Sequence, residues 1–157
     1  MSTLEVMSLG HKCLFDKEDF YAYNRYGMSV TNDAAGFYYV QFNCIPYRGQ
    51  RFARVLLSAP SNMIVDHKDR NTLNNCKDNL RLATLSQSAA NRKVTWGSNR
   101  LQGAYKCGRY WKSQIRVDGR LIYLGVYPTE WFAHEAYKHA QQKYFGEFAC
   151  LREARQP

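Results

Sequence analysis

Apolar and polar positions change their period repeatedly along the chain, and each change marks an expected element. In DKEDFYAYNRYG (16–27) acidic residues open a stretch that places Phe20, Tyr23 and Tyr26 three apart, which predicts a short helix. GFYYVQFNCIPYRGQRFARVLLSAP (36–60) reads as two strands around Pro46 to Gln50, with Gly49 in the turn. MIVDH (63–67) is a further short strand. The Asn- and Asp-rich stretch to Asp78 is an irregular loop, and NLRLA is a return strand. Thr84-Leu85-Ser86-Gln87 then fits a capping box, so a helix is expected from Leu85 to about Lys93. WGSN (96–99) is polar, contains Gly and reads as a joint.

Beyond the joint the period becomes two. Trp111, Ser113, Ile115 and Val117 alternate with Tyr110, Lys112, Gln114 and Arg116. Asp118-Gly119 is a hairpin tip, and LIYLGVY returns with Ile122 and Leu124 on one side and Leu121 and Tyr123 on the other. Pro128-Thr129-Glu130 starts a helix that Gly146 ends. Phe132, Ala133, Ala136, Tyr137, Ala140 and Tyr144 recur at three and four, giving an apolar stripe that can cover a sheet. The pattern predicts a three-stranded sheet with one helix across its back, and an α+β class for the whole chain.

Composition narrows the picture. With 157 residues and 15% aromatics, the chain can fill one domain or two small ones. No apolar run approaches the ~20 residues of a membrane span, and the first twenty residues lack the apolar core of a secretion signal, so a soluble cytoplasmic protein is expected. Five cysteines with no C-x-x-C pair argue against a disulfide framework and a Cys-rich zinc site. The net charge of +9, from 22 Lys and Arg against 13 Asp and Glu, points to a polyanionic partner, most often nucleic acid.

The candidate chemistry lies in VDHKDRNTLNNCKDNLRLAT (65–84). Hydrolysis of a phosphodiester needs a base to activate water and a cation to carry developing negative charge. A histidine titrates near neutrality, and a carboxylate is a hard ligand for Mg²⁺. Asp66 and His67 stand side by side where a strand enters a loop, with a second strand and a helix to follow.

Those residues resemble the HNH endonucleases of the ββα-metal fold, in particular the phage homing-endonuclease branch without structural zinc. The stretch LQGAYKCGRYWKSQIRVDGRLIYLGVYPTEWFAHEAYKHAQQKYFGEFACL resembles an AP2 DNA-binding domain, through Trp111, Ile115-Arg116, Leu124-Gly125 and Tyr144 to Ala149. The resemblance implies an HNH unit over 1–93, a linker over 94–99 and an AP2-like domain over 100–157. It implies His67 as general base, Asn79 as the residue that orients its ring, and Asp66 as ligand to a single Mg²⁺ or Mn²⁺. The helix ligand, usually Asn, falls on Ser88, with Asn91 one turn later as the substitute. Two further positions depart from the pattern: Ala53-Arg54 stands where His-Arg is usual, and Arg70 where Gly is usual. If position 70 needs positive φ, arginine strains the loop.

Arg54, Lys106, Arg109, Lys112, Gln114, Arg116, Arg120 and Tyr123 are the expected DNA contacts. Trp111 is read as core, Asn71, Asn74 and Asn75 as loop-holding residues, and His11, His134 and His139 as surface or partly buried. The expectation is a monomer that nicks or cuts double-stranded DNA. The alternative is a weakened HNH–AP2 protein that regulates through DNA binding or inhibits a host protein.

Overall fold

The computed structural model describes residues 2–92 and 101–150. The expected linker, 94–99, lies outside the described residues, as does Lys93. The chain divides into two compact units, Met1–Thr84 and Leu85–Pro157. It forms small antiparallel sheets and short helices in both. No helix among the described residues is long and apolar enough to cross a membrane. All five cysteines are free thiols.

The first unit opens with a hairpin that the periodicity reading missed: β1 (Thr3–Ser8) pairs with β2 (His11–Asp16), Val6 opposite Cys13. Leu9 and Gly10 turn it at φ 49° and 79°, the two left-handed positions of a type I′ turn. Helix α1 (Lys17–Tyr23) follows where expected and runs into a 3₁₀ turn, Asn24–Tyr26. β3 (Met28–Asn32) pairs with β4 (Tyr38–Phe42), Val30 opposite Val40.

The expected second strand after Pro46–Gln50 is instead a helix, α2 (Phe52–Leu56). The reason is spacing. Phe52, Val55 and Leu56 fall at i, i+3 and i+4, so a helical turn gathers them on one side, where an extended chain would scatter them. Phe52 is fully buried, edge-on to Phe15 with ring centroids 5.2 Å apart. It joins Cys13, Val30, Val40, Phe42 and Leu73 in the core of this unit. Ala53-Arg54 therefore sits on a helix.

β5 (Ile64–His67) forms a hairpin with β6 (Leu80–Ala83), both strands as expected from the sequence. Asp66 pairs with Arg81 and His67 with Leu80. Between them the loop is irregular but pinned to β2. Leu14 N–H donates to Leu73 C=O at 2.9 Å, and Asn75 N–H to Leu14 C=O at 2.8 Å.

The second unit holds α3 (Leu85–Asn91) and a sheet of β7 (Ala104–Cys107), β8 (Tyr110–Val117) and β9 (Arg120–Tyr127), in that order and antiparallel. Helix α4 (Glu130–Phe145) packs on all three strands. Thr129 caps it by accepting the Phe132 N–H at 3.3 Å, and Gly146 ends it at φ 51°. The stripe is rotated from the sequence expectation. Phe132 and Tyr144 are exposed, while His134, Gln141 and Phe145 are buried with Ala133 and Ala140. His134 is thus an interior residue, with Nδ1 2.7 Å from the Gln102 carbonyl oxygen. Helix α3 packs on α4 and on the 3₁₀ turn Gly146–Phe148. The Ser86 hydroxyl oxygen also accepts the Asp118 N–H at the β8–β9 tip, at 3.0 Å.

Strand alternation is interrupted once. The step from Ser113 to Gln114 on β8 matches two steps on β9, from Gly125 to Tyr123, so Leu124 is the extra residue of a bulge. Leu121 and Tyr123 share the outer face as expected, but beyond the bulge Val126 joins them.

Candidate active site on the β5–β6 hairpin

Asp66 and His67 end β5, and each is nearly buried, at 6% and 7% exposed. A carboxylate at that depth needs a partner. Arg81, directly across the hairpin, supplies it: Nε donates to Asp66 Oδ2 at 2.9 Å. The pairing follows from the register, since residues opposite one another in an antiparallel ladder share a face.

His67 is a different case. Burial pushes its imidazole below the ordinary value of 6.5, against the opposing pull of Asp69, Asp66 and a hydrogen bond that the ring donates to the Asn75 side chain, while Arg51 pushes the same way as burial. The ring is therefore neutral at pH 7, the state that can accept a proton.

The loop between the strands is organised around Asp69. Its Oδ1 accepts from the Asn71 N–H at 2.8 Å and from Asn79 Nδ2 at 2.9 Å, and its Oδ2 from Asn74 Nδ2 at 2.7 Å. Asn79 Oδ1 accepts the Asp69 N–H at 3.0 Å, and its Nδ2 donates to the Asn74 carbonyl at 2.8 Å. These bonds engage both amide hydrogens and the oxygen of Asn79 within the loop. Its place is to hold Asp69 and the backbone, while the Asn75 side chain is a partner of the His67 ring. Sequence reading gave the ring to Asn79. What it missed is that Asn75, 2% exposed, lies beneath the loop with its N–H on β2. Asn71 and Asn74 do act on the loop backbone as expected, accepting from Leu73 and Cys76 N–H. Arg70 takes φ 66°, the left-handed conformation that glycine adopts without strain.

Arg54 faces inward. Its guanidinium donates to the carbonyls of Met63 at 2.8 Å, Ala59 at 3.1 Å and Pro60 at 3.0 Å, bracing the approach to β5. Ser88 and Asn91 lie on α3, in the second unit; Ser88 is half-buried and Asn91 buried.

Residues 58–90 match the HNH endonuclease family. The matched HNH segment takes in β5, the Asp69 loop, β6 and the first turns of α3. The chain is also similar to a protein of Acanthamoeba polyphaga mimivirus named as an uncharacterized HNH endonuclease, L560, with 36% identity over 92 residues. That similarity covers 58% of this chain and 48% of the viral protein, so the chain spans about half of its relative. No solved structure matches.

HNH nucleases generally use a divalent cation, and the donor set bears on how one would be held. Among the described residues no three His, Cys, Asp or Glu side chains gather into a metal-holding group. Asp66 offers carboxylate oxygen, a hard donor, with one oxygen facing Arg81. Such a set fits a hard cation that keeps most of its shell as water and phosphate oxygen.

The expected DNA contacts of the second unit divide between two faces. Lys112, Gln114, Arg116 and Tyr123 share the outer face with Tyr105, Leu121 and Val126, because Tyr105 pairs with Lys112, Gln114 with Tyr123 and Arg116 with Leu121. Lys106 pairs with Trp111 and Arg120 with Val117, which puts both on the side of α4. Lys106 Nζ lies 4.9 Å from the Trp111 ring centroid. Arg109 is in the β7–β8 turn, 5.2 Å from the Tyr110 ring, and Arg116 Nη1 donates to the Gly119 carbonyl at 3.0 Å.

Proposed function

We propose that the chain is an HNH-type endonuclease that hydrolyses phosphodiester bonds in double-stranded DNA. The observation that supports this most is the buried Asp66–His67 pair, at the end of a hairpin inside the matched HNH segment. In this reading His67 is the general base. Kept neutral by burial, it takes a proton from the attacking water. Asn75 steadies the ring, and Asn79 keeps the loop closed through Asp69. Asp66 would hold Mg²⁺ or Mn²⁺, and a further donor is expected from the sequence at Ser88 or Asn91. A bound cation supplies positive charge to the phosphate and the departing oxygen. The second unit, read as an AP2-like domain, would lay its outer face in the major groove through Lys112, Gln114, Arg116 and Tyr123.

Purified protein, supercoiled DNA and Mg²⁺ or Mn²⁺ test this. The expected outcome is relaxed circle from the wild type, formed roughly 10²- to 10⁴-fold more slowly by His67→Ala. Relaxed circle no greater than that of His67→Ala would sink the proposal.

A second reading is a DNA-binding regulator that no longer cuts. Three observations favour it: the Asp66 carboxylate is engaged by Arg81, Arg70 is held at positive φ, and serine stands at 88. It expects duplex binding that needs no metal and survives both His67→Ala and Asp66→Ala, with no nicking by any form.

A further inference from the structure

Arg54 is turned into the main chain, which leaves the question of which cation in the first unit could meet DNA at the hairpin. Arg51 stands one helical turn earlier, at the start of α2. Its guanidinium carbon lies 3.6 Å from the centroid of the Tyr39 ring. One edge, Nη2, is 3.5 Å from Asp33 Oδ2, and the side chain is 44% exposed. Asp33 is itself fixed, since its Oδ1 caps the turn between β3 and β4 through the N–H groups of Ala35 and Phe37.

The same corner is tied to the candidate active site. The Thr72 hydroxyl, in the Asp69 loop, donates to the Tyr38 carbonyl, next to the ring on which Arg51 rests. Helix α2 packs against β5.

We propose that Arg51, held over the Tyr39 ring, contacts a backbone phosphate of DNA at the β5–β6 hairpin. The contact rests on the nuclease reading for its purpose, but it is tested apart from catalysis. Stacking fixes the plane of a guanidinium while its edges stay open, and a fork of five N–H donors suits phosphate oxygens. The pair with Asp33 is longer than the ~2.7–2.9 Å of a charge-assisted hydrogen bond, so that edge is loosely held and can turn to a phosphate. A lysine would bring the charge without the flat fork.

The test uses the full chain in a His67→Ala background, without divalent metal, binding a labelled duplex over a series of salt concentrations. Arg51→Ala is expected to weaken binding about 5- to 10-fold at 0.1 M salt and to lower the log–log salt slope by about one. Arg51→Lys should keep the slope and lose part of the affinity. Asp33→Asn removes the ion pair but keeps the arginine, and binding should be retained or tightened. Thermal melts of each variant confirm folding. Unchanged affinity and slope in Arg51→Ala would overturn the inference, as would an equal loss in Asp33→Asn, which would mark a purely structural pair. Nicking by the protein with His67 intact is scored separately. Its absence would remove the nuclease reading, while the slope still decides the phosphate contact.

Discussion

Arg70 occupies the turn after His67 with φ 66°, and its backbone N–H closes that turn on the His67 carbonyl at 2.9 Å. An L-residue with a β-carbon is strained there by about 1 kcal/mol relative to glycine. Arg70→Gly is therefore expected to raise unfolding stability by up to about 1 kcal/mol, read as a shift in urea midpoint. His67 makes a second expectation, about pH. Its folded-state pKa lies below 6.5 because of burial. Above 6.5 the ring is neutral in both folded and unfolded chains. As pH falls through 6.5, the unfolded chain takes up a proton that the folded chain resists, so the native state loses stability with acid. In metal-free buffer the urea midpoint should fall between pH 7 and pH 5, and His67→Gln should flatten that part of the curve. An unchanged slope in His67→Gln would show that other groups set it.

Helix α2 shows what a period can and cannot reveal. Five residues are too few to separate a single helical turn from a strand, and RFARVLL is rich enough in Val and Leu to read either way. The decision is tertiary, made by Phe52 finding Phe15 and Phe42. Arg54 followed from it: on a strand it would have been free to face DNA, but on the helix its donors reach three carbonyls. Arg54→Ala should cost about 2–3 kcal/mol of stability and leave the salt slope of DNA binding unchanged, the opposite of Arg51→Ala. The β5–β6 hairpin and α4 were legible because each carries local punctuation: Asn-Leu-Arg-Leu after a polar loop, Thr129 before the helix, Gly146 after it. Asn75 was not, because four asparagines of the loop are alike in sequence. What separates them is depth, which the docking of the loop on β2 sets. Gly103, just before β7, was equally silent. It has φ 76°, and a β-carbon there would fall 2.0 Å from Cγ of Tyr137. Gly103→Ala should destabilise by about 3 kcal/mol through overpacking and backbone strain together, or abolish folding of the second unit.

Across the whole chain, a charge of +9 makes salt sensitivity of DNA binding an expectation that any contact assignment shares. Which side chains carry it is the sharper question. Strand pairing sets Lys112 on the outer face and Lys106 on the face of Trp111. Lys112→Ala should therefore lower the salt slope by about one and Lys106→Ala leave it nearly unchanged, measured by fluorescence anisotropy. Equal effects would mean that DNA does not follow the outer face. The boundary between the compact units has its own consequence. Chain compactness changes hands at Thr84–Leu85, yet the HNH match runs on to residue 90, and Ser86 is bonded to the β8–β9 tip. The matched HNH segment and the first compact unit end about two helical turns apart. Replacing the second unit by another domain, or shuffling the two halves by recombination, would have to carry α3 with one parent or the other. Either choice parts α3 from the HNH segment that it continues in sequence or from the β8–β9 tip to which Ser86 is bonded.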